Sequence, residues 1–103
     1  MRKNFRTYNL AVEFYKSIKT LNLSTNLKNQ LERACSSVAL NLAEGSGRRT
    51  IKDQIRFFNI AFASLRESQA ILDLEAENKI ELIQKADCLA AHIYKLIKNC
   101  SAQ

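Results

Sequence analysis

The sequence predicts an all-α fold, an antiparallel up-down-up-down four-helix bundle, from three observations. The chain contains no proline. Its only two glycines, Gly45 and Gly47, sit together in Ala43-Glu44-Gly45-Ser46-Gly47-Arg48-Arg49-Thr50. Apolar residues recur at steps of three and four in four separate stretches, the spacing of one buried face on a helix. Short connections between such helices make chain neighbours run in opposite directions. At 103 residues the chain reads as a single domain, 1–103, with one modest core and a surface-to-volume ratio that leaves room for subunit association to add burial.

The first helix is predicted over roughly 8–22, where Ala11, Phe14, Tyr15, Ile18 and Leu21 form the stripe and Thr7 is placed to cap it. The second, over roughly 25–44, opens at Ser24 or Thr25 and turns Leu27, Leu31, Ala34, Cys35, Val38 and Leu42 to one side. Glycine costs about 1 kcal/mol inside a helix and is favoured just past its end, where positive φ is needed, so Gly45 and Gly47 mark a stop. Thr50 with Asp53 three positions on resembles a capping box, with Asp for the usual Glu or Gln, and starts the third helix. The octet therefore reads as helix stop, basic knuckle and helix start.

The third helix is predicted over roughly 51–77, about 40 Å long, with Ile51, Ile55, Phe58, Phe62, Leu65 and Leu72 on its stripe. Phe57, Ile60 and Ile71 lie on an adjoining side, interleaved with Ala61, Ser64 and Ser68. An apolar arc of more than half the circumference exceeds what one bundle core asks of one helix. It implies a second packing surface and self-association through Phe57, Ile60, Ala61, Ser64 and Ile71; the alternative is that this helix is simply the most central. A narrow polar strip with Lys52, Arg56, Asn59 and Arg66 completes the circumference. Asn78 is read as the left-handed terminator, and a fourth helix over roughly 81–100 carries Leu82, Ala86, Leu89, Ile93, Leu96 and Cys100.

With 47% hydrophobic and 25% charged residues the chain is globular rather than disordered. No apolar run approaches the roughly 20 residues of a membrane span, and no apolar segment follows the basic start, so a cytoplasmic protein is expected. Cys35, Cys88 and Cys100 match no metal or redox spacing, and reduced thiols are the default. The net charge of +6 is unevenly spread: residues 1–22 and 46–66 each carry +4, whereas 67–87 carry −4. Such asymmetry suggests attraction to a polyanion such as nucleic acid, although basic surfaces also occur without one.

Sites for catalysis are sparse. Asn41 projects close to the apolar stripe with Ser37 and Glu44 at one-turn spacings, which points to a buried hydrogen-bond network fixing register rather than a ligand site. Glu44 is expected to cap or to pair with an arginine such as Arg33 or Arg66, and no second carboxylate stands beside it for acid–base work. His92, the only histidine, follows Cys88 by one turn; without companions this is no metal site, and di-iron motifs need more histidines. Gly45 and Gly47 lack the third glycine, strand and Gly-Lys-Ser/Thr of nucleotide loops. Tyr8, Tyr15 and Tyr94 read as core-edge aromatics rather than a base-stacking platform. No catalytic residue and no cofactor are expected.

The run Arg33-Ala34-Cys35-Ser36-Ser37-Val38-Ala39-Leu40-Asn41-Leu42-Ala43-Glu44-Gly45-Ser46-Gly47-Arg48-Arg49, followed by Arg56-Phe57-Phe58-Asn59-Ile60-Ala61 and Ser64-Leu65-Arg66-Glu67, closely resembles the bacterial four-helix-bundle proteins encoded in 23S ribosomal RNA intervening sequences. Accessory variability determinant proteins of diversity-generating retroelements belong to the same family. The resemblance covers essentially the whole chain and is densest from Arg33 to Glu67; after Asn78 the turn and the start of the fourth helix look trimmed. It implies a homopentameric, barrel-like ring with a positively charged surface, and some members bind nucleic acid and a reverse transcriptase. The expectation is a non-enzymatic, oligomeric RNA- or DNA-binding accessory protein without sequence specificity, in which Arg48, Arg49, Lys52 and Arg56 contact phosphates, supported by Arg6, Lys16 and Lys19. The alternative is a scaffold that docks a protein partner such as a reverse transcriptase, with no direct nucleic-acid role. Asn41, Glu44, Gly45 and Gly47 are expected to be structural.

Overall fold

The computed structural model describes residues 5–75 and 79–102. Its four helices are α1 (Phe5–Lys19), α2 (Thr25–Ser46), α3 (Ile51–Glu75) and α4 (Ile80–Ser101). Asn78 lies outside the described residues. Along the α2–α3 seam Ser24 meets Glu75, Cys35 meets Ser68, Ser37 meets Ser64 and Gly45 meets Phe58, so residues advance along one helix as they recede along the other. The same progression links α3 to α4, through Gln69 with Asp87 and a groove shared by Phe62 and Tyr94. It links α1 to α4 through Ser17 with Lys85 and a hollow shared by Phe14 and Cys88. The result is an elongated body of 42 × 21 × 19 Å.

The buried side chains follow the predicted stripes. Phe14, Ile18, Leu31, Leu42, Phe58, Leu65, Leu72, Leu89 and Ile93 are all but inaccessible to solvent. Each such side chain contributes on the order of 1.5–3 kcal/mol by leaving water, against the conformational entropy of ordering it. Ile51, in the first turn of α3, is the exception and is 38% exposed.

Helix ends depart from the sequence reading where packing overrides local signals. Thr7 is not the cap of α1 but lies inside it, 7% exposed. It continues the series Thr7, Ala11, Phe14, Ile18, so the buried stripe carries the helix past the cap signal. At the other end α1 stops at Lys19, where the Thr20 hydroxyl bonds the Ser17 carbonyl and the Leu21 N–H returns to Ile18. Such i to i+3 closures tighten a last turn and end it. Thr50 does cap α3, accepting from the Asp53 N–H at 3.1 Å.

The two glycines have different roles from the one expected. Gly47, the C-cap of α2, has φ −91° and ψ −4°, so no left-handed conformation is involved. Gly45 lies within the last turn of α2 and is buried. A Cβ there would stand 2.6 Å from Phe58 Cε1 and 3.1 Å from Phe57 Cβ. It is a close-approach glycine that lets α2 settle against the aromatic start of α3.

The chain's own core takes up part of the broad apolar arc of α3. Ala61 and Ile71, expected at a subunit interface, are buried in the chain's own core, and Ser64 hydrogen-bonds to Ser37 of α2 at 2.9 Å. From that set Ile60 is 37% exposed, and Phe57 and Ser64 are half-buried.

Candidate nucleic-acid interface

The knuckle is a short, tied segment. The Gly47 and Arg48 N–H groups return to the carbonyls of Glu44 and Gly45, and the Gln54 side-chain amide donates to the Arg48 carbonyl at 3.2 Å. These bonds hold the segment against the first turns of α3, with Arg49, Lys52 and Arg56 exposed beside it.

Arg48 is the most heavily engaged of the four expected phosphate contacts. Its guanidinium donates to Glu44 Oε2 at 2.7 Å, one turn back, so Glu44 pairs with Arg48 and not with Arg33 or Arg66. Its Nε is buried without a hydrogen-bond partner among the described residues. The same guanidinium lies 4.5 Å from the Phe57 ring centroid, and that of Arg56 lies 4.6 Å from it. Cation–π contact of this kind limits the sweep of two long side chains and orders them before any ligand arrives. Phe57, read from sequence as an interface residue, is thus a platform for two arginines.

The supporting cations divide. Arg6, at the start of α1, is exposed at the knuckle end of the bundle. Lys16 and Lys19 are at the far end, where α1 finishes and Ser24 meets Glu75, and Lys19 lies 5.4 Å from the Tyr15 ring. The structure does not bring them to the knuckle. It does bring Lys95 and Lys98, exposed near the end of α4, to the same end as Arg6 and Arg56. Asp73, Glu75, Glu81 and Asp87 fall toward the opposite end. Arg6, Arg49, Lys52, Arg56, Lys95 and Lys98 therefore share one end of the body, whereas Lys16, Lys19, Lys79 and Lys85 lie toward the other with these acids, and the signal for Lys95 and Lys98 lay in the alternating helix direction rather than in any motif.

A polar seam runs behind the knuckle between α2 and α3. Asn41 donates to the carbonyl of Ser37 at 2.8 Å and to its hydroxyl at 3.0 Å, and that hydroxyl meets Ser64 at 2.9 Å. One turn further, Ser68 donates to the Ser64 carbonyl and Cys35 donates to the Ser68 hydroxyl at 3.4 Å. Asn41, half-buried, thus has partners within α2, and Ser37 carries the link across to α3. Burial pushes the Cys35 thiol up to about 11, against the lowering effect of its bond to Ser68. Elsewhere, His92 Nδ1 lies 2.9 Å from the Cys88 carbonyl, a geometry in which Nδ1 carries the proton.

A family model described as 23S rRNA-intervening sequence protein matches residues 4–80. The chain belongs to this family. The match takes in α1, α2 and α3 with the whole knuckle, so the polar seam and the Arg48–Phe57–Arg56 cluster fall within the family's segment and almost all of α4 falls beyond it. No curated protein and no solved structure matches the chain significantly. Among the described residues no helix is long and apolar enough to cross a membrane.

Proposed function

We propose that this member of the 23S rRNA-intervening sequence protein family is a non-enzymatic, cytoplasmic, nucleic-acid-binding accessory protein that works as a homo-oligomer, a ring of antiparallel four-helix bundles. The observation that carries the reading is the knuckle: Arg49, Lys52 and Arg56 stand exposed together, with Arg56 ordered on Phe57, at the end of the bundle that also gathers Arg6, Lys95 and Lys98. Contacts of this type bind the phosphate backbone of RNA or DNA without reading sequence. The non-enzymatic reading is supported by Glu44, whose carboxylate is engaged by Arg48 and not by a second acid. Self-association is supported by Ile60, with Leu40 67% exposed within about a turn of it across the α2–α3 register. A pentamer accords with the family resemblance.

Replacing Arg49, Lys52 and Arg56 together by alanine tests the reading. Every phosphate that a protomer no longer neutralises should reduce the slope of log affinity against log salt by about 0.9 on duplex DNA, so the triple variant should show a slope smaller by about 2.7 per protomer engaged. Fluorescence anisotropy over a salt series measures this, and light scattering should give the wild-type mass. Unchanged affinity at low salt would refute the assignment. Leu74 and Ile80, 76% and 69% exposed, favour a second reading, a scaffold for a protein partner. Partner capture that survives nuclease and the triple substitution would support it instead.

A further inference from the structure

The α3–α4 groove contains an aromatic residue whose exposure the bundle does not explain. Tyr94 is 62% exposed and lines the groove with Phe62, Arg66, Asp87, Ala90 and Ala91. The groove is shallow and open to solvent, with a volume of about 310 Å³. Arg66 is fixed in it: its guanidinium lies 4.7 Å from the Phe62 ring centroid and donates to Gln69 Oε1 at 2.8 Å. Gln69 in turn donates to Asp87 Oδ1 at 3.0 Å, so the acid that lines the groove is engaged through an amide, and Arg66 makes no ion pair among the described residues. Lys98, exposed, follows Tyr94 by four residues, about 6 Å along α4, toward the knuckle end.

An exposed aromatic side chain flanked by two cations and by Ala90 and Ala91, with the one lining acid, Asp87, held by Gln69, has the chemistry of a nucleotide site. We propose that this groove takes an unpaired nucleotide of a single-stranded RNA, its base stacked on Tyr94 and its flanking phosphates on Arg66 and Lys98. The proposal rests on the reading of the protein as a nucleic-acid binder and adds a preference for unpaired strands. Bases within a duplex are already stacked on their neighbours and cannot offer a face to Tyr94, whereas loops and single strands can. The charge gathered at the knuckle end supplies the continuing phosphate track. The sequence reading of Tyr94 as a core-edge aromatic is corrected by its exposure.

The test compares wild type, Tyr94→Ala, Tyr94→Phe and Arg48→Ala/Arg49→Ala on a short single-stranded RNA and on the same sequence as a duplex. One stacked base corresponds to a loss of at least about fivefold in single-strand affinity on Tyr94→Ala, with Tyr94→Phe near wild type and duplex affinity unchanged. Single-strand binding unaffected by Tyr94→Ala, or lost equally for duplex, overturns the stacking site. If the arginine variant alone weakens both ligands, the phosphate reading survives without the groove; if no variant weakens either ligand, both fail. The chain has no tryptophan, so Tyr94→Trp places a single reporter in the groove. Quenching on adding the single strand is expected. A spectral shift that depends on protein concentration without RNA would instead mean that a second copy covers Tyr94, and would overturn the proposal.

Discussion

Substituting alanine at the two glycines should move stability in opposite directions. At Gly45 the new Cβ would lie 2.6 Å from Phe58 Cε1 and 2.8 Å from Cδ1, where carbon atoms in good contact stand about 3.5–4.0 Å apart. Relief requires a shift of roughly 1 Å between α2 and the Phe58 ring, which is 1% exposed and enclosed by core. Overpacking of this kind costs about 1–3 kcal/mol, and the overlap places it in the upper half of that range. The helix-propensity gain of alanine, at most about 1 kcal/mol, offsets part of it. A net loss of about 1–2 kcal/mol remains, or roughly 5–15 °C in melting temperature for a domain near 100 residues. At Gly47 the nearest atoms to an added Cβ stand at 3.7 and 3.9 Å, and φ is −91°. Gly47→Ala should therefore stabilise by about 0.4–1 kcal/mol through the unfolded chain. Thermal and urea unfolding followed by circular dichroism, at one fixed protein concentration, measure both. Gly45→Ala as stable as wild type would refute the close-approach reading. Trimming the obstacle with Phe58→Leu should make the double variant less destabilised than the sum of the single ones.

Two further outcomes follow from the knuckle and the seam. Glu44→Gln removes the partner of Arg48, an exposed pair that contributes at most about 1 kcal/mol to stability. It should therefore leave folding nearly unchanged while steepening the salt dependence of duplex DNA binding by about 0.9 per protomer engaged, read by anisotropy; a flatter slope would show that Glu44 positions Arg48 for binding instead. The raised thiol of Cys35 remains protonated far above neutrality, so at pH 8 a thiol reagent should modify exposed Cys88 readily and Cys35 only after unfolding. Because the folded thiol ionises at about 11 and the reference thiol at 9.0, its contribution to stability is complete below pH 9 and is lost as pH rises toward 11. Cys35→Ala should flatten that decline in a pH series of unfolding curves.

The sequence alone determined the number of helices, the stripes that became the core, the break between α2 and α3, and the basic character of the knuckle. All of these are local: periodicity of apolar residues, glycine punctuation and the charge of neighbours in the chain are written within a few turns. Asn41 was legible for the same reason, since an amide at an apolar position demands partners. Tertiary structure decided which surfaces remained open. Packing within the chain buried Ala61 and Ile71, which periodicity had left facing outward, and Phe57, close to α2 at Gly45, became a seat for Arg48 and Arg56. The alternating directions of the helices sent Lys16 and Lys19 to one end and gathered Arg6, Lys95 and Lys98 at the other. Exposure depends on how near a neighbouring helix comes, a distance set by side-chain volumes on two segments far apart in the chain, and no pattern within one helix contains it.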